Sequence, residues 1–288
     1  MKDAEQTQLM RMVRLTMRAA QKCVNAYSCP KSRRDFTQPQ LVACLVLKVA
    51  NRSDYRGVCE LLTLSEPLRE AIGLEKVPHW TTLQKFMAKP QVAEVIDAVM
   101  AQVLREVGVL ERPGDIAVDS SGMQNGVASL HYVAKRGRNG RGQVRKTVKV
   151  SVAVLCGALL PVGLVVSLGS SADMQQMPAL LDQVESRMTP TALYADSGYD
   201  AEWVHERCRE EWGTESLIPP VVRAPDGRIK TKWRAAMLEL PEVYGRRWHV
   251  ESFFSGLKRT TMGTLASRQP NTLLAEAQMK VLTYAIRR

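Results

Sequence analysis

With 288 residues, 45% hydrophobic and 24% charged, the chain has ample surface to bury in one large domain or two ordinary ones, which excludes wholesale disorder. Its formal net charge is +11, with 16 Lys/Arg against 11 Asp/Glu in residues 1–110 and 24 against 18 in residues 111–288; an excess spread over both halves favours a polyanion, nucleic acid first and an anionic membrane surface second. Six cysteines with no Cys-x-x-Cys pair, and only four histidines, exclude zinc-finger spacing and suit a reduced, cytoplasmic protein.

The start, Met1-Lys-Asp-Ala-Glu-Gln6, is polar and lacks a signal-peptide core. Residues 1–30 carry helical character, with Leu9, Met10, Val13 and Met17 on one face and Arg11, Arg14 and Arg18 beside it. After a basic linker, Lys31 to Asp35, the segment Thr37-Gln-Pro-Gln40 is a helix start leading into the apolar run Leu41 to Ala50. Ser53-Asp-Tyr-Arg56 opens a helix through Leu64, and Ser65-Glu-Pro-Leu68 opens another that stops near Gly73. Pro78 to Phe86 and Gln91 to Val107 complete the series, the last ended by Gly108. Residues 1–110 are therefore expected to be an all-α region for DNA binding or dimerisation, in the manner of a helix-turn-helix reader, although no single recognition helix stands out.

Past Arg112-Pro-Gly-Asp115 the texture changes. Ile116-Ala-Val-Asp119 is a short β-branched run ending in an acid. Val148 to Val154 and Leu159 to Leu168 read as strands around a turn near Gly157; the apolar run is broken by Ser151, Gly157, Pro161, Gly163 and Ser167, so a membrane span is not expected. Met174 to Met188 is helical with Met177, Leu180, Leu181 and Val184 inward, and Thr191 to Asp196 is a second strand ending in an acid. A helix over Ala201–Trp212, a short strand at Ser216, a polar loop over Pro219–Thr231 and helices over Leu238–Arg259 and Leu273–Arg287 follow. The order suits a mixed α/β sheet sandwiched by helices over residues 111–288.

Chemistry gathers at three carboxylates. Asp119 and Asp196 each stand at the end of an apolar strand, where ligands of α/β sheets collect. Tyr244, Arg247, Glu251 and Lys258 recur at spacings of 3, 4 and 7, one helical stripe, beside an apolar stripe of Val250, Phe253, Phe254 and Leu257. Three neighbouring carboxylates need a compensating charge, and oxygen ligands favour Mg²⁺ or Mn²⁺. Lys135, Arg136, Arg138, Arg141, Arg145, Lys146 and Lys149 crowd the connection between the first two strands and are candidates for gripping DNA phosphates at a hairpin tip. Trp248 is a candidate for packing, and His131 and His249 for structural hydrogen bonds.

The sequence Tyr244-x2-Arg247-x3-Glu251-x6-Lys258 resembles the Tyr-(2)-Arg-(3)-Glu-(6)-Lys signature of bacterial insertion-sequence DDE transposases. Ile116-Ala-Val-Asp-Ser-Ser121 and Tyr194-Ala-Asp-Ser-Gly-Tyr199 resemble that group's first and second Asp motifs, so the likeness covers residues 111–288. The resemblance implies an RNase H-like catalytic domain in which Asp119, Asp196 and Glu251 hold two divalent ions. Tyr244, Arg247 and Lys258 would contact phosphates near the cleaved end, and Trp233, in the basic stretch Arg228 to Arg234, would stack on a flipped base. It further implies a homodimer on paired ends. Such an enzyme binds the terminal inverted repeats of its element, cleaves there, and joins the freed 3′-hydroxyls to target DNA; a nucleoid-associated location follows. A metal-dependent nuclease of the same fold and a non-catalytic DNA-binding descendant remain open alternatives.

Overall fold

The computed structural model describes residues 7–112, 114–126, 147–169, 171–222 and 227–288. The chain groups into two compact units, one of Met1–Val107, Met123–Val148 and Leu257–Arg288, the other of Gly108–Gly122 and Lys149–Gly256. The basic cluster Lys135, Arg136, Arg138, Arg141, Arg145 and Lys146, together with His131, lies outside the described residues.

The described residues before the first strand form helices α1 (Gln8–Cys23), α2 (Gln38–Ala50), α3 (Tyr55–Leu64), α4 (Glu66–Ile72), α5 (Trp80–Met87) and α6 (Val92–Glu106). Their starts follow from local chemistry. Thr37 and Gln40 form a reciprocal capping box, Asp54 accepts from Gly57 N at 2.7 Å, and Gly73 ends α4 at φ +70°. Met10, Val13 and Met17 are buried as the periodicity predicts, while Arg11, Arg14 and Arg18 stay exposed. The helical core is centred on α2 and on the last helix, α11 (Pro270–Arg287), both buried nearly all round. Two charged groups of α11 are buried with partners. Glu276 accepts from Ala266 N and Ser267 N, and Lys280 donates to Met262 O and Thr264 O, fixing a short strand β6 (Thr264–Leu265) that periodicity did not reveal.

The sheet contains β1 (Ile116–Asn125), β2 (Thr147–Leu155), β3 (Leu160–Leu168), β4 (Ala192–Tyr194) and β5 (Glu215–Leu217), in the order β3-β2-β1-β4-β5, with β6 beside β1. β1 with β4 and β4 with β5 are parallel. Helix α7 (Met177–Glu185) covers β3 with Met177, Leu180, Leu181 and Val184, all fully buried. Their approach is so close that a Cβ on Gly163 would stand 2.9 Å from Leu180 Cδ1 and 3.2 Å from Leu180 O, so a larger residue at this β3 position would push against α7. Helix α8 (Glu202–Glu206) continues as a π-helical turn to Glu211, and α9 (Lys232–Ala236) follows the polar loop. The architecture is thus a mixed sheet flanked by helices and preceded by an all-helical region.

Three local expectations are corrected. Asp119 lies inside β1, which runs on to Asn125, although its pairing with β4 stops near this level. The expected helix over 238–259 is a 3₁₀ turn at Glu242–Arg247 followed by α10 (Trp248–Thr261), so Tyr244 and Arg247 precede the helix that carries Glu251 and Lys258. Lys149 is no part of a hairpin tip; it is a buried residue of β2.

Candidate active site

The parallel register of β1 and β4 pairs Ile116 with Leu193 and Ala117 with Tyr194. The same offset separates Asp119 from Asp196 (193 − 116 = 196 − 119 = 77), so the two acids stand level where the β1–β4 pairing ends, Asp119 within β1 and Asp196 two residues past β4. Each spends one oxygen on backbone. Asp119 Oδ1 accepts from Ser120 N at 2.7 Å, and Asp196 Oδ1 accepts from Gly198 N at 2.8 Å, capping the 3₁₀ turn Ser197–Tyr199. Burial pushes the Asp119 carboxyl above its ordinary value, and the charges of Asp196 and Asp173 add to that push, against the Ser120 amide and the Arg247 guanidinium.

Beneath them runs a short hydrogen-bonded chain. Ser120 Oγ lies 2.8 Å from both Ser151 Oγ and Tyr199 Oη. Tyr199 is fully buried, and burial holds its phenol protonated far above the usual range. This chain fixes the backbone at Ser120, whose N–H orients Asp119.

Asp173 is a third carboxylate at this end of the sheet. Its Oδ1 pairs with Lys149 Nζ at 2.5 Å, and Lys149 also donates to Ser171 O. Its Oδ2 lies 3.6 Å from the point a Cβ on Gly198 would occupy, and Asp196 Oδ1 lies 2.9 Å from that same point. Asp119 and Asp196 were legible because each closes an apolar run. Asp173 stands five residues past β3 and escapes that rule, yet an acid opening a helical turn behind a strand was the signal available.

The turn Glu242–Arg247 approaches the same acids. Arg246 pairs with Asp115, which also accepts from Thr191 Oγ1 at 2.5 Å and Tyr194 Oη at 3.0 Å. Burial alone would raise the Asp115 carboxyl, but these donors hold it below its ordinary value. Tyr244 Oη donates to Ala195 O at 3.2 Å, beside Asp196. Arg247 lies 3.9 Å from Asp119 Oδ2 and forms an ion pair with Glu251. Glu251 is therefore linked to Asp119 through a guanidinium, with 56% of its side chain exposed. Lys258 follows seven residues later on α10 and belongs to the helical unit.

Among the described residues no three Asp, Glu, His or Cys side chains converge closely enough to hold a metal ion. The expected three-carboxylate cluster is thus not gathered as it stands: Asp119 and Asp196 meet, while Arg247 occupies the approach of Glu251. The donor chemistry nonetheless fits a hard divalent cation. The donors are all carboxylate oxygens, and the raised Asp119 carboxyl marks a site short of positive charge.

The apolar stripe Val250, Phe253, Phe254 and Leu257 is buried as predicted. Trp248 is corrected: it is 53% exposed, on the face of α10 opposite that stripe, stacked on His249 at 4.1 Å. His249 Nδ1 lies 2.7 Å from Arg246 O, a structural bond of the kind expected. Both Lys232 (3.9 Å) and Arg209 (4.9 Å) lie over the Trp233 ring, and its Nε1 donates to Glu210 at 2.8 Å. Among the described residues no helix is long and apolar enough to cross a membrane.

Residues 111–286 match a family model described as "Transposase DDE domain". No curated protein matches the chain.

Proposed function

Because the chain belongs to the DDE transposase domain family, matched over more than half its length, we propose that it is an insertion-sequence transposase of the Tyr-(2)-Arg-(3)-Glu-(6)-Lys type, active on the terminal inverted repeats of its element. Family membership makes it a transposase with DNA as its partner, and the mixed sheet flanked by helices is consistent with an RNase H-like fold. In this reading the protein cleaves the phosphodiester at each element end and joins the freed 3′-hydroxyl to target DNA, as a homodimer on paired ends. Residues 1–110 serve DNA binding or dimerisation and residues 111–288 catalysis.

The observation that carries the reading is the register that sets Asp119 level with Asp196, together with the raised Asp119 carboxyl. Asp119, Asp196 and Glu251 would hold two Mg²⁺ or Mn²⁺ ions, which when bound supply Lewis-acid activation of the attacking oxygen and charge neutralisation at the leaving one. Ser120 N and Gly198 N orient the two aspartates, leaving one oxygen of each free of these bonds. Arg247 exchanges Glu251 for a DNA phosphate, releasing that carboxylate toward Asp119; its planar fork suits two phosphate oxygens. Tyr244, held at Ala195 O, places a phenol beside Asp196, and Lys258 adds a point charge along the strand. The basic cluster Lys135, Arg136, Arg138, Arg141, Arg145 and Lys146 contributes further backbone contacts.

The test is a strand-transfer assay on DNA carrying the sequences that flank the gene, with Mg²⁺ or Mn²⁺. Element-end cleavage followed by joined products is expected. Cleavage without joining would leave a nuclease, and metal-independent or absent cleavage would leave a DNA-binding protein only.

A further inference from the structure

The helical unit contains a cavity of about 760 Å³ that the carboxylate site does not use. Its walls come from the end of α2, the start of α3, α5, the end of α10, the β6 segment and the first three turns of α11, all within that unit. Five cations line it, Lys48, Arg52, Lys85, Arg268 and Lys280, against two acids. Both acids are already engaged: Asp54 caps α3, and Glu276 accepts the Ala266 and Ser267 amides. Arg52 and Lys280 spend their donors on uncharged carbonyls, Arg259 O and Thr260 O for one, Met262 O and Thr264 O for the other. Lys48 lies 4.8 Å from the Tyr55 ring, and burial depresses its ammonium. Lys48 is drawn to Glu276 and Asp54, whereas among the described residues Lys85 and Arg268 form no ion pair with a carboxylate. With five cations against two acids, the cavity wall keeps a net positive charge.

One further feature suits an anion. The 18-residue helix α11 begins in the wall, and its cap, Gln269, makes no side-chain cap bond, so the helix presents its positive end there.

We infer that this cavity seats the phosphodiester backbone of double-stranded DNA, as a second contact independent of the carboxylate residues. Lys85 and Arg268, both exposed, meet successive phosphates at the surface, and the start of α11 faces a phosphate oxygen. Side chains offering only point charges and forks give register without sequence preference, so the contact is electrostatic and salt-sensitive. The inference rests on DNA being the protein's partner but not on Asp119 or Asp196 being catalytic.

Fluorescence anisotropy of a labelled duplex of arbitrary sequence, titrated with full-length protein across a series of salt concentrations, tests it. Lys85→Gln with Arg268→Gln is expected to weaken binding roughly 50-fold at 0.1 M salt and to make the slope of log K against log salt shallower by about 2. Lys85→Gln alone should remove about half of that slope change. Wild-type affinity and slope in the double variant overturn the inference. So does saturable binding of a deoxynucleoside monophosphate that the double variant abolishes while duplex binding persists, since the cavity would then be a nucleotide pocket. Metal-dependent cleavage of element-end DNA by the wild-type protein, measured on the same preparation, reports separately on the catalytic reading, so failure of one is told from failure of the other.

Discussion

At Asp119 the fold holds a carboxyl that resists ionisation, and everything around it is arranged to orient rather than neutralise it. The Ser120 amide and a distant Arg247 offset only part of the burial and the repulsion from Asp196 and Asp173. A cation between Asp119 and Asp196 removes that cost, which is why this pair suits metal binding better than either acid alone. Gly198 sets the fine position of Asp196, because it donates to the carboxylate and because a methyl there meets Asp196 Oδ1 at 2.9 Å. Gly198→Ala should therefore leave the fold intact, since its neighbour is the end of a side chain, yet displace that carboxylate. The expected result is Mg²⁺ affinity by calorimetry lowered 10–100-fold, in the range typical of lost orienting groups, with little change in melting temperature. Unchanged affinity would show that Asp196 does not hold the ion.

On the scale of elements, the account depends on the turn Glu242–Arg247 and the helix it launches. The apolar stripe of α10 was legible because four residues at helical spacing had to face a core, and all four are buried. The polar stripe was legible in its residues but not in its geometry. Spacing of 3 between Tyr244 and Arg247 fits an α-helix and a 3₁₀ turn alike, and what selects the turn is long-range: the Arg246–Asp115 ion pair and the Tyr244–Ala195 bond. Asp115 thus anchors Arg247 at Asp119 from below. Its folded-state pKa lies beneath the ordinary value, so its contribution to stability is full above about pH 4 and is lost as pH falls through its depressed folded value. Asp115→Asn should flatten the acid limb of a melting-temperature profile between pH 5 and pH 2.5, roughly one titrating group's worth, and lower DNA cleavage at pH 7.5 without abolishing it. An acid limb identical to wild type would mean the pair does not hold the turn.

For the molecule as a whole, what the sequence disclosed and what it hid divide along physical lines. Helix starts, the buried stripes, and the positions of Asp119 and Asp196 rest on local signals: caps, periodicity, and acids closing apolar runs. Hidden were features made by distant segments meeting, such as β6 held by Glu276 and Lys280, Asp173 paired to a buried Lys149, and the cationic cavity lined from α2 to α11. Net charge of +11 foretold a polyanion, but only folding shows where cations share a concave wall. The claim on which the rest depends is that Asp119 and Asp196 form the centre that breaks DNA strands. It is tested most directly by metal-dependent cleavage of element-end DNA by wild type, Asp119→Asn and Asp196→Asn, with duplex affinity measured on the same preparations. The account predicts cleavage reduced roughly a hundredfold or more in each variant, the scale on which lost transition-state charge stabilisation is felt, at unchanged DNA affinity; cleavage by either variant at the wild-type rate would contradict it.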